Sequence, residues 1–270
     1  MWTMSVVVAP LTAVTAPAPL KGRISETMRN AAGIGYDAVQ LSVNRPAEFD
    51  LVGARRALHE YQLTVTSIGT GAAYSVDGIG LGHGDVQKRL AAVERVKQHV
   101  HLAVDLGGAN VVIGLIRGRL VDSTDRQQFM IDYRHSIEAC LDHAEREGVT
   151  LVHEALSRAE SDVLRSIDEN VAFLEEFSSQ HLRLHVDCHH MSLEESDWAL
   201  ALCRAREWIA QVDISDVERG VPDGRHFDFP RLISTLREMG YAGYLVFEYN
   251  SVGSGVAEAR AGLEYIRSVC

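Results

Sequence analysis

The stretch "LRLHVDCHHMSLEESD", residues 182–197, runs from an apolar segment through an acid, a thiol and two histidines into a cluster of acids. The leading "LRLHVD" reads as a buried strand, and "LEESD" has the acid-rich composition of a helix's first turn. Asp187 and His190 therefore fall at the carboxyl end of a strand. A metal site, a cysteine nucleophile and a solvated strand end are all compatible with these residue types. What the other strand ends carry decides among them.

The same unit recurs in both directions. β-branched apolar runs begin at Met4 ("MSVVVA"), Ala38 ("AVQLSV"), Thr64 ("TVTSIG") and Asn110 ("NVVIGL"). They continue at Thr150 ("TLVHEA"), Leu182, Ile209 ("IAQVDIS") and Tyr244 ("YLVFEY"). Between them lie stretches with apolar residues at helical spacing, such as "RQQFMIDYRHSIEACLDHAEREG". Several end in glycine just before the next strand, as a helix C-cap does. Eight such units at a spacing of roughly 30 residues predict a (β/α)8 barrel, an architecture of about 250 residues. No linker or charge block divides residues 1–270, so one domain is expected. A doubly wound open sheet is the competing fold. It calls for a glycine-rich turn after the first strand, where this chain has "APLTAVTAPAP". The glycine-rich "GIGLGHG" from Gly78 follows the third strand and reads as a mobile loop.

Composition narrows the function. The formal net charge is −11, with 37 acids against 26 Lys and Arg, and no basic stripe, which argues against a nucleic-acid partner. Cys140, Cys188, Cys203 and Cys270 form no C-x-x-C pair, as suits a reducing, cytoplasmic setting. The amino-terminal "MWTMSVVVAPLTAVTAPAP" lacks a basic segment and is broken by prolines, so it reads as a strand and a loop. No apolar run reaches membrane-spanning length, and no membrane partner is expected.

In a barrel of this kind the active site lies at the carboxyl ends of the strands. The last four of those ends carry Glu154, Asp187, Asp213 and Glu248. Four carboxylates converging on one mouth repel one another unless a cation sits between them. An all-oxygen set suits Mg²⁺ or Mn²⁺ better than Zn²⁺, and one divalent cation per chain is expected. Cys188 has no evident activating base, which disfavours a catalytic thiol. "GLIRGR" puts Arg117 and Arg119 just past the fourth strand, where their forks suit a substrate carboxylate or phosphate. Pairing with the many surface acids is the equal alternative.

The elements "IGTGAAYSVDGIGLGHGD", "VVIGLIRGR", "HEALSRAESD", "VDCHHM" and "RGVPDGRHFDFPRLISTLREMGYAGYLVFE" resemble the sugar isomerase/epimerase branch of the xylose-isomerase-like barrels, which includes the ketose 3-epimerases. The resemblance covers the chain from about residue 21 onward. It implies a metal set on Glu154, Asp187, Asp213 and Glu248, with Asp213 standing where the family usually has a histidine. It implies Glu160, His190 and Arg219 as substrate-binding residues, joined by Arg117 and Arg119. Glu154 and Glu248 are then also the proton carriers. The activity implied is epimerisation of a keto-sugar or keto-sugar acid, of the 5-keto-L-gluconate or ketose 3-epimerase type, through an enediolate chelated by the cation. The alternatives are an aldose–ketose or hydroxypyruvate-type isomerase, a binding barrel that lost its site through the Asp213 change, and an endonuclease-IV-like repair enzyme. That last class needs a histidine-rich multi-metal site and a basic face, which this chain lacks. Relatives form dimers or tetramers, so a homo-oligomer is expected.

Overall fold

The computed structural model describes residues 2–13 and 16–270. Its strands are β1 (Thr3–Ala9), β2 (Leu20–Lys21), β3 (Ala38–Ser42), β4 (Thr64–Gly69), β5 (Asn110–Ile113), β6 (Leu151–Glu154), β7 (Leu182–Asp187), β8 (Ile209–Ile214) and β9 (Tyr244–Phe247). β1 and β3 to β9 pair in parallel and in order, and β9 returns to β1, closing an eight-stranded barrel. All eight expected strands are present. β2 is an addition: it bonds the carboxyl end of β1 at Val8 and Ala9, beyond the residues that bond β9. Val14 and Thr15, in the expected loop after β1, and Met1 lie outside the described residues.

The helices that cover the barrel include α1 (Ile24–Ile34), α2 (Leu51–Tyr61), α3 (Ala72–Asp77), α4 (Val86–Asp105) and α5 (Arg126–Glu147). They continue with α6 (Ile167–Leu174), α7 (Cys188–Glu194), α8 (Trp198–Ala205), α9 (Phe229–Glu238) and α10 (Gly255–Val269). Their ends follow local chemistry. Asp85, Asp125 and Asp228 cap α4, α5 and α9 through their carboxylates, and Ser166 with Glu169 forms a reciprocal capping box on α6. Gly148 closes α5 at φ 68°, a conformation that disfavours other residues. The apolar core lies between the outer strand faces and the helices, with Val39, Ile68, Val111, Val186 and Val212 fully buried. No helix among the described residues is long and apolar enough to cross a membrane.

The "GIGLGHG" segment departs from the mobile loop expected of it. Leu81 N–H donates to Ile116 O at 2.8 Å, Gly82 N–H to Arg117 O at 2.9 Å and Gly84 N–H to Asp122 O at 2.7 Å. A Cβ at Gly80 would lie 3.0 Å from Gly118 Cα, so the glycines let two backbones meet and bond. They pin the segment to the "LIRGR" loop.

Strand register sets the level of the site. Asp187 on β7 lies opposite Asp213 on β8, and Glu154 on β6 lies opposite His185. Glu248, just past β9, donates its backbone N–H to Ile214 O at 3.2 Å. The four acids therefore ring the carboxyl end of one half of the barrel.

Candidate active site

Asp187 and Asp213 are fully buried, Glu154 is nearly so, and Glu248 is the most accessible of the four. Asp187 caps α7 by accepting from His189 N–H at 2.6 Å, and the Ser215 hydroxyl lies 3.4 Å from the same oxygen. Ligand atoms of Glu154, Asp187 and His190 lie within 4.8 Å of one another, as do those of Asp187, Asp213 and Glu248. Asp187 belongs to both groups, so the two glutamates belong to groups that meet at it.

Beneath this ring the barrel interior is polar. His185 Nε2 lies 2.9 Å from Asp213 Oδ1, and Gln211 Nε2 donates to the same oxygen at 2.7 Å. Gln211 also donates to Gln40 Oε1 at 2.8 Å, and Gln40 Nε2 approaches Glu248 Oε1 at 3.4 Å. Sequence reading missed these residues. The signal was present: side chains two apart on a strand share a face, so His185 and Gln211 point where Asp187 and Asp213 point. Gly114 was missed as well. A Cβ there would collide with Glu154 Oε2, so the glycine makes room for the carboxylate.

Arg219 reaches into the ring from the loop after β8. Its Nη1 is 3.0 Å from Asp187 Oδ2 and 2.6 Å from Glu248 Oε2, and its Nη2 is 2.8 Å from His190 Nε2. Its backbone adopts φ 54°, held by Arg219 N–H to Asp216 O and by Asn250 N–H to Arg219 O. His190 is buried, with Nδ1 accepting from Ser157 N–H at 3.1 Å and Nε2 3.6 Å from Glu154 Oε1. Glu160 lies 3.6 Å from Arg219 and 3.9 Å from His190. The structure thus brings together Glu154, Glu160, Asp187, His190, Asp213, Arg219 and Glu248.

It does not bring in the two arginines of "GLIRGR". Arg117 is fully buried and donates to the carbonyl oxygens of Glu154, Val163 and Leu164. Arg119 forks onto Asp162 at 2.9 and 3.0 Å and reaches Ala159 O at 3.0 Å. Neither guanidinium lines the cavity described below, and Arg117 Nε is buried without a hydrogen-bond partner. The sequence cannot reveal this, because their partners lie 37 to 47 residues away. Cys188 is buried, and burial with Asp187 nearby pushes its thiol well up, away from the reactive thiolate.

The charges set the protonation. Burial opposes ionisation of Glu154, but His185, His190 and Arg219 outweigh it and hold its carboxyl down at about 2. Burial pushes Glu248 well above the usual carboxylate range; Arg219 opposes this, while Asp213, Glu154 and Asp187 reinforce it. Burial also raises Asp213 against the pull of His185. These opposed shifts mark crowding of like charge, which a divalent cation relieves. One atom tests the fit directly. Asp213 Oδ2 is buried with no hydrogen-bond partner, while Oδ1 is held by His185 and Gln211. A free carboxylate oxygen beside three further carboxylates is a donor set for a hard cation, so the residues present fit Mg²⁺ or Mn²⁺.

A cavity of about 720 Å³ opens from Glu154, Glu160, Arg219 and Glu248 across the ends of β1, β3, β4 and β5. The acids occupy the β6–β9 half of the mouth. The other half is walled largely by apolar side chains.

A family model described as xylose isomerase-like TIM barrel matches residues 28–269. L-ribulose 3-epimerase of Mesorhizobium japonicum is 31% identical over 236 residues, covering 84% of this chain and 76% of the relative. 3-dehydro-D-guloside 4-epimerase of Escherichia coli is 25% identical over 257 residues, covering 91% and 94%. Among solved structures, an L-ribulose 3-epimerase superposes with a TM-score of 0.83 at 23% identity, over 100% of this chain and 94% of that one. At that identity the structural likeness speaks for the fold alone.

Proposed function

The chain belongs to the xylose isomerase-like TIM barrel family as an enzyme of the isomerase class, and on that premise we propose that it is a divalent-cation-dependent epimerase of a keto-sugar. The observation that carries this reading is the pair of three-residue groups sharing Asp187, one containing Glu154 and the other Glu248. Epimerisation next to a ketone needs a base on one face of the carbon and an acid on the other. Glu154 and Glu248 are suited to take those places, removing the proton from one face and returning it to the opposite face. Glu154, Asp187, Asp213 and Glu248 would hold the cation. A bound Mg²⁺ or Mn²⁺ supplies Lewis-acid polarisation of the ketone and offsets the enediolate charge. Arg219 and His190 stand beside the ring as donors toward the developing oxyanion, and Glu160 orients both.

A neutral sugar fits better than a sugar acid. Of the residues lining the cavity, the cations are Arg45 and Arg219. Arg45 pairs with Asp77 and Glu48, and Arg219 with Asp187 and Glu248. Glu48, Asp50, Glu154, Glu160 and Glu248 line the same space, and with Arg117 and Arg119 turned away no free fork remains for a substrate carboxylate. A cytoplasmic homo-oligomer is the setting we propose, from the unbridged cysteines and the family resemblance.

The test is incubation of neutral ketoses, keto-glycosides and keto-sugar acids with the protein and Mn²⁺ in D₂O, followed by NMR. Deuterium entering beside the carbonyl together with inversion is the expected result. An aldose product instead identifies an aldose–ketose isomerase. No exchange with any compound overturns the reading.

A further inference from the structure

Among the described residues, four groups of side chains offer ligand atoms close enough to share a metal ion. Three of them belong to the barrel mouth. The fourth, His101, His143 and Glu147, stands apart from it. We infer that this trio is a second metal site, which takes a late first-row divalent cation such as Zn²⁺ and pins α4 to α5. The inference does not depend on the epimerase reading.

Its place follows from the chain. In a parallel barrel each covering helix runs back antiparallel to the strand before it. His101 lies one turn before the end of α4 at Asp105, and His143 one turn before the end of α5 at Glu147. The trio therefore sits toward the amino ends of the strands, opposite the end that carries the four acids. His143 and Glu147, one turn apart, share a face of α5. His101 comes from the neighbouring helix, its ring 4.7 Å from that of His143 and nearly perpendicular to it.

The donor set differs in kind from the one at the mouth. Two imidazoles and a carboxylate, with a fourth position left to water, suit Zn²⁺, whereas the all-oxygen ring suits Mg²⁺ or Mn²⁺. The ligand atoms lie within 4.8 Å of one another, and tetrahedral coordination wants them roughly 3.3–3.6 Å apart. Small side-chain rotations close that difference. His101 and Glu147 are exposed, and among the described residues neither side chain has a hydrogen bond or ion pair to give up. His143 Nε2 is buried with no hydrogen-bond partner, an arrangement that costs free energy in a protein left to itself.

The local field also favours a cation. The negative ends of the α4 and α5 dipoles both lie here, each equivalent to roughly half an elementary charge. Of the nearby cations, Arg146 is turned to Asp142 O at 3.0 Å. Lys97 is the like charge that still acts on His143. A metal held by both helices would join them just before the chain enters β5 and β6.

The test is calorimetric titration of Zn²⁺ into the full chain kept in excess Mn²⁺, comparing the parent with His101→Ala and Glu147→Gln. Both changes are at exposed helical positions that tolerate them. The parent should take up one more Zn²⁺ per chain than His101→Ala, with Kd micromolar or tighter. Glu147→Gln should weaken that step by at least the roughly tenfold that loss of an outer partner costs a metal site. Hydrogen exchange locates the ion: Zn²⁺ should slow amide exchange in the last turns of α4 and α5 in the parent and leave it unchanged in His101→Ala. Equal stoichiometry and affinity in parent and His101→Ala overturns the site. Uptake only at millimolar Zn²⁺, or protection confined to the barrel mouth, overturns it as well. Neither readout uses a substrate, so failure of the epimerase reading would leave both unaffected.

Discussion

Asp213 stands where the family resemblance expects histidine, and His185 sits 2.9 Å below it. Metal-binding histidines are commonly backed by a carboxylate; here a carboxylate is backed by a histidine, which orients it in the same way. His185 is shifted accordingly: burial works against its charge, but Asp213 and Glu154 prevail and raise it to about 10. Asp213→Ala should weaken Mn²⁺ binding by about tenfold or more, as should His185→Leu, which leaves Asp213 Oδ1 with Gln211 alone. Calorimetric titration of the apo protein reads both, and unchanged affinity in Asp213→Ala removes it from the cation's ligands. Asp213→His alone sets two imidazoles against each other and should bind poorly, recovering when paired with His185→Asn. For the proposed proton carriers, Glu154→Gln and Glu248→Gln retain an oxygen ligand but accept no proton. Each should lose epimerisation by at least roughly 10²–10⁴-fold. Following both epimers through both variants in D₂O separates the two faces, and near-parent interconversion in either variant excludes that glutamate.

At the scale of elements, the period-two alternation of β6 sends Glu154 into the barrel and its neighbour His153 out to the helices. His153 Nε2 lies 2.6 Å from the Tyr133 hydroxyl on α5, and its Nδ1 lies 2.8 Å from Asn170 Oδ1 on α6. One strand thus carries both a carboxylate of the acidic ring and the bolts that hold its level. Helix α3 is tied down at its end by Asp77. That carboxylate receives Arg45 at 2.7 Å and Arg95 at 2.9 Å, bridging α3 to the loop after β3 and to α4. The hydrogen bond from Arg45, helped by Arg95 and opposed by burial, lowers the pKa of Asp77. A depressed carboxylate contributes stability above its unfolded value, about 3.9, and loses it as pH falls through the lower folded value. Asp77→Asn should therefore destabilise the protein by about 1 kcal/mol at neutral pH. The gap between variant and parent in urea midpoints should close as pH drops below about 3.9. A gap that persists at low pH would show that the carboxylate charge is not the cause.

At the scale of the whole molecule, four strands each deliver one acid to a single ring, so a cation bound there ties β6, β7, β8 and β9 together. Binding to the folded state alone raises stability by mass action, about 2.7 kcal/mol at a hundredfold excess over Kd. Mn²⁺ should raise Tm reversibly, a chelator should lower it again, and Asp213→Ala should blunt the response. A Tm indifferent to Mn²⁺ contradicts the cation site. The sequence by itself determined the eight strand–helix units, the glycines that close several helices and the acids at the strand ends. Periodicity, capping and strand termini are local properties, readable over a few residues. It also placed Glu160, His190 and Arg219 near one another through family resemblance. The tertiary structure alone decided that Arg117 turns onto the Glu154 carbonyl and Arg119 onto Asp162, and that His185 backs Asp213. It alone packed the glycine-rich segment and left one half of the mouth largely apolar. Each of these depends on register and on contacts between residues dozens of positions apart, and those distances exist only once the barrel has closed.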